Sequence, residues 1–449
     1  RKMGTGGQGA YREIAERGGL TAFTGYVEVT TDGRLTGIVR DGAAVPSAQA
    51  GQHVELILDR SPFYAEAGGQ LGDHGEIESR SGARARVYDV QTPVPGLFIH
   101  RVDVQHGEFV TGDEIVARVD TYRRRAISRA HTATHMIHRA FRERLGDTAT
   151  QMGSENAPGR LRFDFPSTGA VSQAVLSEVE ARVNQIALED LEVHAQVMSQ
   201  DEARAMGAMA LFGEKYGNEV RVISVGDWAH ELCGGTHAQR SGQLGVVTFL
   251  SEGSIGAGVR RLEALVGADA YDFLAREHLL VSRLTELMKV PADGLVERIE
   301  RTVTALKDAE RQLNKARSAE RSANVSDIIG PRIDMPGVQL WAFQAPAGSS
   351  AADVREIVST ARGRADRSEP AVVMGTTAVD EKAAIVIATN EAAVARGLRA
   401  NDLLQVALSH VDGRGGGKPD LAQGGGSQPG GIGDALQAVV AAVRETGGG

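Results

Sequence analysis

One cysteine, Cys233, stands in 449 residues. A lone thiol excludes an intrachain disulfide and fits a reducing, cytoplasmic setting, which leaves packing, reactivity or metal binding as its use. The sequence also lacks any apolar run of the ~18 residues that a membrane span requires, so no membrane association is expected. Arg1-Lys2-Met3-Gly4 carries neither an apolar stretch nor a small-residue cleavage site, which excludes a secretory signal there. This start reads as a cut end. Nor is there an excess of positive charge: 49 Lys and Arg against 58 Asp and Glu give a net charge of -9. Bulk charge is therefore not what would hold a nucleic acid.

Positive charge is instead local. Between Tyr122 and Arg144 there are seven arginines and one acid, Glu143. The run is either a solvated helix face or a surface for phosphates, and Arg123, Arg124, Arg125 and Arg129 are its first candidates.

At this length several units in series are expected, and their patterning differs. Residues 1–21, glycine-rich around a helix-like Tyr11–Arg17, read as the remnant of an upstream linker. Residues 22–119 carry short β-rich runs at Gly25–Val29, Gly37–Val39, His53–Leu58, Ala85–Tyr88 and Ile115–Val119. Asp32-Gly33, Asp41-Gly42 and Thr111-Gly112-Asp113 stand between them as turns. This pattern predicts a small antiparallel barrel. Residues 120–266 read as a mixed α+β unit: helices over about 121–145 and 172–190, and strands near 161–165, 219–225 and 244–251. Residues 267–329 read as almost continuously helical, and Ile299, Leu306 and Leu313, seven apart, suggest a short coiled-coil seam. Residues 330–449 alternate strand and helix candidates, as a small α/β domain would. Within them ten of the 21 residues from Gly413 to Gly433 are glycine. That segment is either a flexible linker or a loop folded against a ligand or RNA backbone. The fold class is thus α+β and multidomain.

His131-Thr132-Ala133-Thr134-His135 sets two imidazoles one helical turn apart on one face. Cys233-Gly234-Gly235-Thr236-His237 adds a thiolate and an imidazole around two glycines that permit a tight turn. Three His and one Cys form a donor set for Zn²⁺. His138 and His230 are spare histidines without a partner at matching spacing. Four protein ligands close a zinc site, whereas hydrolysis by metal-bound water needs an open position, so a catalytic and a structural metal both remain open. A metallopeptidase is disfavoured, because Thr132, Ala133 and Thr134 leave no glutamate between the histidines. Gln151 follows in a loop, with an amide able to orient water or hold an ester.

These motifs resemble the C-terminal part of bacterial alanyl-tRNA synthetases over nearly the whole chain. The matching stretches are Ser61–Gln70, Arg129–His135, Gln151–Ser154 through Leu161–Phe165, Glu231–His237, Ser251-Glu252 and Gly258–Ala264. The resemblance implies that residues ~22–265 form an editing domain that hydrolyses Ser-tRNA(Ala) and Gly-tRNA(Ala). It implies His131, His135, Cys233 and His237 as zinc ligands, Gln151 in the editing pocket, and Arg129, Thr132 and Arg260 toward the tRNA end. The rest of the chain would bind tRNA(Ala) and form a homodimer. ATP and Mg²⁺ would serve only an aminoacylation domain, expected to precede Arg1, so the chain by itself is not expected to charge tRNA. The alternative is a non-catalytic fragment that binds tRNA and dimerises.

Overall fold

The computed structural model describes residues 8–209 and 217–447. The chain forms two compact units, Arg1–Arg283 and Leu284–Gly449.

In the first unit, strands Thr30–Arg40, His53–Leu58, Gly75–Ser79, Arg84–Val94, Leu97–His106 and Glu114–Val119 pair antiparallel, and the last pairs back onto the first. Six strands thereby close a barrel and leave no open edge among them. The period of two explains its core: Ile115, Ala117 and Val119 point inward, while Glu114, Val116 and Arg118 do not. Two expectations fail here. Asp32 and Gly33 lie inside the strand Thr30–Arg40, because they pair with Val116 and Ile115 where the barrel closes. Gly25–Val29 is a turn rather than a strand. Tertiary contacts pin it, since the Arg124 guanidinium donates to the Gly25 carbonyl at 2.8 Å and the Tyr26 hydroxyl to the Gly234 carbonyl at 2.6 Å.

The central helix, Thr121–Leu145, starts at Asp120, whose carboxylate accepts from Arg123 N–H, and stops at Gly146 with φ 85°. Between Ile127 and Phe141 nearly all of its side chains are buried, as befits a helix enclosed by other elements. One side rests on an antiparallel sheet of Gly153–Ala157, Arg160–Pro166, Val259–Val266 and Val247–Gly256. There Phe141 stacks on Phe165 at 4.8 Å. Fully burying Phe141, Phe163 and Phe165 contributes ~1.5–3 kcal/mol apiece. A second sheet, Val193–Ser199, Glu219–Val225 and Ala229–Leu232, ends at the Cys233 loop.

Helices Ala268–Met288 and Leu295–Ala323 are separated around Pro291, with Lys289 at φ 53°, so the expected continuous helix is broken. In the second unit a five-stranded sheet runs Gln339–Gln344, Ala371–Val379, Lys382–Thr389, Leu421–Gly426 and Gly413–Lys418. The first pair is parallel, as its helical connection Ala351–Arg364 requires. Val373 and Val386 pack with that helix, while Val372, Met374, Ile385 and Ile387 face helices Ala400–Leu408 and Ile432–Gly447. The glycine-rich segment is not a flexible linker: Gly413–Lys418 and Leu421–Gly426 form an antiparallel hairpin. Glycine suits it sterically, because a Cβ on Gly415 would lie 2.4 Å from Gly424 Cα.

Candidate metal centre and its cleft

The central helix and the loop after Ala229–Leu232 bring His131, His135, Cys233 and His237 together, one ligand atom of each lying within 4.8 Å of all the others. His131 Nε2 and His237 Nε2 stand 3.3 and 3.4 Å from Cys233 Sγ. Tetrahedral zinc with ordinary Zn–S and Zn–N bonds sets sulfur and nitrogen ligands roughly 3.5 Å apart. His131, His135 and Cys233 are buried, and His237 is partly exposed. Gly235 makes the turn possible at this closeness, since a Cβ there would lie 2.2 Å from His131 Cε1.

Each imidazole is braced on its outer nitrogen. His131 Nδ1 bonds Gln70 Oε1 at 2.9 Å, His237 Nδ1 bonds Thr132 Oγ1 at 3.1 Å, and His135 Nδ1 bonds Glu231. The Gln70 amide oxygen and the Glu231 carboxylate can only accept, so they hold the proton on Nδ1 and face Nε2 inward, the arrangement usual around metal-bound histidine. His135 Nε2 is buried without a hydrogen-bond partner, and a bound cation would satisfy it. Burial works against charge on His135, but Glu231 and Cys233 outweigh it and raise the imidazole to about 10. Burial likewise opposes the Cys233 thiolate, yet the surrounding histidines hold the thiol well below its usual range. Burial and the neighbouring His131 push His237 down to about 3, so positive charge is favoured at His135 beside the thiolate and disfavoured at His237. These features fit Zn²⁺.

Glu231 also accepts from His138 Nδ1 at 2.7 Å, so the spare histidine has a partner after all. His131, His135 and His138 share one helix face, and the seven-residue interval was the available signal. His230 is bonded elsewhere, to Ser224. Arg221 donates to the carbonyls of Cys233 and Gly235 at 2.8 and 2.9 Å, and its guanidinium stacks on Tyr26 at 4.1 Å. No spacing in the sequence singles out Gln70, Glu231 or Arg221, although the first two lie inside recognisable motifs.

A cleft of about 680 Å³ opens beside the cluster, reached through His237 and lined in part by Tyr26, Arg125, Arg129 and Arg221. The other arginines differ: Arg124 also borders the cleft, while Arg123 and Arg260 do not. Arg124 is buried, with its guanidinium spent on Asp73 and on the Gly25 and Pro62 carbonyls. Arg123 is half-buried and reaches the Gly72 carbonyl at 3.4 Å. Arg260 forms a two-pronged ion pair with Glu252 and does not line the cleft. Thr132 is fully enclosed, holding His237 and accepting from Ala238 N–H. Gln151 donates to Ser154 Oγ at 3.1 Å, also off the cleft.

Comparison with known proteins places these features. Residues 3–123, which include the barrel, match the model for tRNA synthetases class II (A). Residues 220–263 match the threonyl and alanyl tRNA synthetase second additional domain, and residues 337–445 the DHHA1 domain. Alanine–tRNA ligase of Nocardioides sp. is 53% identical over 97% of this chain and 48% of its own length. That of Acidothermus cellulolyticus is 52% identical over 99% of this chain and 50% of its own. Among solved structures, the C-Ala domain of Aquifex aeolicus alanyl-tRNA synthetase aligns with 27% of this chain and all of that chain. Its TM-score of 0.22 and identity of 21% are too low to carry an argument. The chain spans about half the length of the curated relatives it matches. Over that half the agreement is continuous, and the chain belongs to the alanine–tRNA ligase family.

Proposed function

We propose that this chain proofreads: it hydrolyses the ester of Ser-tRNA(Ala) and Gly-tRNA(Ala) at a Zn²⁺ centre held by His131, His135, Cys233 and His237. The carrying observation is a buried, oxygen-braced donor set that meets an arginine-lined cleft at its one partly exposed ligand. The need is physical. A pocket shaped for alanine cannot exclude smaller glycine, and it rejects serine's extra hydroxyl only ~100-fold, so a second, hydrolytic site is required. When bound, zinc supplies a Lewis acid that polarises an oxygen if a ligand position opens, and otherwise orders the pocket.

The protein's own groups bind and orient the RNA end. Arg125 and Arg129, on the cleft wall, are assigned to its phosphates. Arg260 and Thr132 are not, because Glu252 and His237 already occupy them. Gln151, bonded to Ser154, is assigned to shaping the pocket. tRNA(Ala) is the partner, and the longer proteins of the family would add ligation of alanine with ATP and Mg²⁺, in the cytoplasm. Among the described residues no helix is long and apolar enough to cross a membrane.

Homodimerisation is part of the proposal. Val296, Ile299, Val303, Leu306 and Leu313 are exposed on the helix Leu295–Ala323 at alternating intervals of three and four, apart from a break at Glu310. That spacing is the seam of a coil, and a second copy of the same helix fits it.

The test is release of serine from Ser-tRNA(Ala) by zinc-loaded protein. Wild type should deacylate, and Cys233→Ala should lose roughly 100-fold or more of the rate along with zinc. Tight tRNA binding by the zinc-loaded wild type with no serine release would instead establish a binding module.

A further inference from the structure

The barrel reaches into the metal centre. Its loop Glu66–Gly72 docks on the strand Gly153–Ala157: Asn156 N–H donates to the Gly69 carbonyl at 2.7 Å, and Leu71 N–H to the Asn156 carbonyl at 3.2 Å. Gly69, at φ 79°, packs so tightly that a Cβ would lie 2.3 Å from Ser154 Oγ. This docking drives Gln70, which is fully buried, between the central helix and the Cys233 loop.

Three bonds then fix its amide. Gln70 Oε1 accepts from Thr236 N–H at 2.8 Å, and Gln70 Nε2 donates to Thr236 Oγ1 at 2.9 Å. A backbone N–H only donates, so the atom facing it is the oxygen. The same oxygen faces His131 Nδ1 at 2.9 Å, so His131 must carry its proton there. Its Nε2 is left with the lone pair, facing Cys233 Sγ.

Taking the cluster as the zinc centre proposed above, we infer that Gln70 is a positioning residue of that centre: it locks His131 in the metal-binding tautomer, and the barrel loop is a structural part of the site. The inference depends on which group accepts from His131, and substitutions separate that from packing. Gln70→Leu keeps the approximate size and removes the acceptor. Gln70→Glu keeps an acceptor for both His131 and Thr236 N–H.

The experiment is competition for Zn²⁺ between a chromophoric chelator and the full chain, with Cys233→Ser as control and the melting of each metal-free variant in parallel. Gln70→Leu should weaken zinc binding by about 10–100-fold, while Gln70→Glu stays within roughly threefold of wild type. Wild-type affinity in Gln70→Leu, or equal weakening in both variants, overturns the inference. If Gln70→Leu does not fold, Gln70→Met decides. It keeps an unbranched side chain of similar length without the acceptor and should also weaken zinc binding by about 10–100-fold, and an unchanged affinity overturns the inference. If Cys233→Ser binds zinc as tightly as wild type, the metal reading itself fails, and this inference with it.

Discussion

A methyl group on Gly235 would lie 2.4 Å from His131 Nδ1 and 2.8 Å from Gln70 Oε1, so this position tolerates no side chain while the cluster is assembled. Gly235→Ala is expected to weaken zinc binding by at least about tenfold, read by chelator competition. Arg124 makes a different demand. Its guanidinium is 7% exposed and the Asp73 carboxylate 0%. Arg124→Met would strand that carboxylate in the interior, and chemical denaturation should show a loss of about 3–5 kcal/mol, partly recovered by adding Asp73→Leu. Both residues illustrate what a sequence shows and hides. The four donors were legible because helical period and a tight Cys–His turn leave marks in spacing. Gln70 lies 61 residues before His131, and Glu231 lies 96 after His135, so nothing local announces those bonds. Arg124 looked like its neighbours in the basic run, and only burial separates it from Arg125.

Among the elements, the barrel carries a titratable group of its own. His100 is fully enclosed and bonds Ser61 Oγ and the Leu56 carbonyl, and burial pushes its imidazole down to about 4. The unfolded chain binds that proton near pH 6.5, so between about 6.5 and 4 the unfolded state takes up more protons than the folded one. Stability is therefore lost as pH falls through that window, by about 3 kcal/mol at its lower end. His100→Gln, which can donate to Leu56 and accept from Ser61, should flatten this part of the pH–stability curve in urea titrations. On the helix Leu295–Ala323, Leu306 is 59% exposed, so Leu306→Glu should change stability by less than about 0.5 kcal/mol. The same change should move the sedimenting mass toward that of a single chain. Helix Thr121–Leu145 could be read from sequence because Asp120 and Gly146 bound a stretch free of glycine and proline, and strand Glu219–Val225 because of its β-branched residues, all of which it buries. Asp32-Gly33 and the Gly413–Gly426 hairpin could not. Their residues signal turn or flexibility locally, and strand pairing with distant partners overrides that signal.

For the molecule as a whole, two units with separate cores make a divided response to metal. All four donors and their braces lie in Arg1–Arg283. Saturating zinc should raise the melting of that unit, by ~4 kcal/mol of stabilisation at a thousandfold excess over Kd, and leave the transition of Leu284–Gly449 in place. Differential scanning calorimetry with and without chelator checks both halves of the statement. The donors are also spread along the chain: Cys233 lies 102 residues beyond His131. During synthesis the barrel, with Gln70, is finished first, and the two helix histidines follow. The thiolate leaves the ribosome only after about a hundred more residues have been added, at some 5–20 residues per second. For those seconds the nascent chain holds half of the donor set proposed for zinc, and capture of the ion would come with His237, before the strands Val247–Gly256 and Val259–Val266 complete the sheet under the central helix.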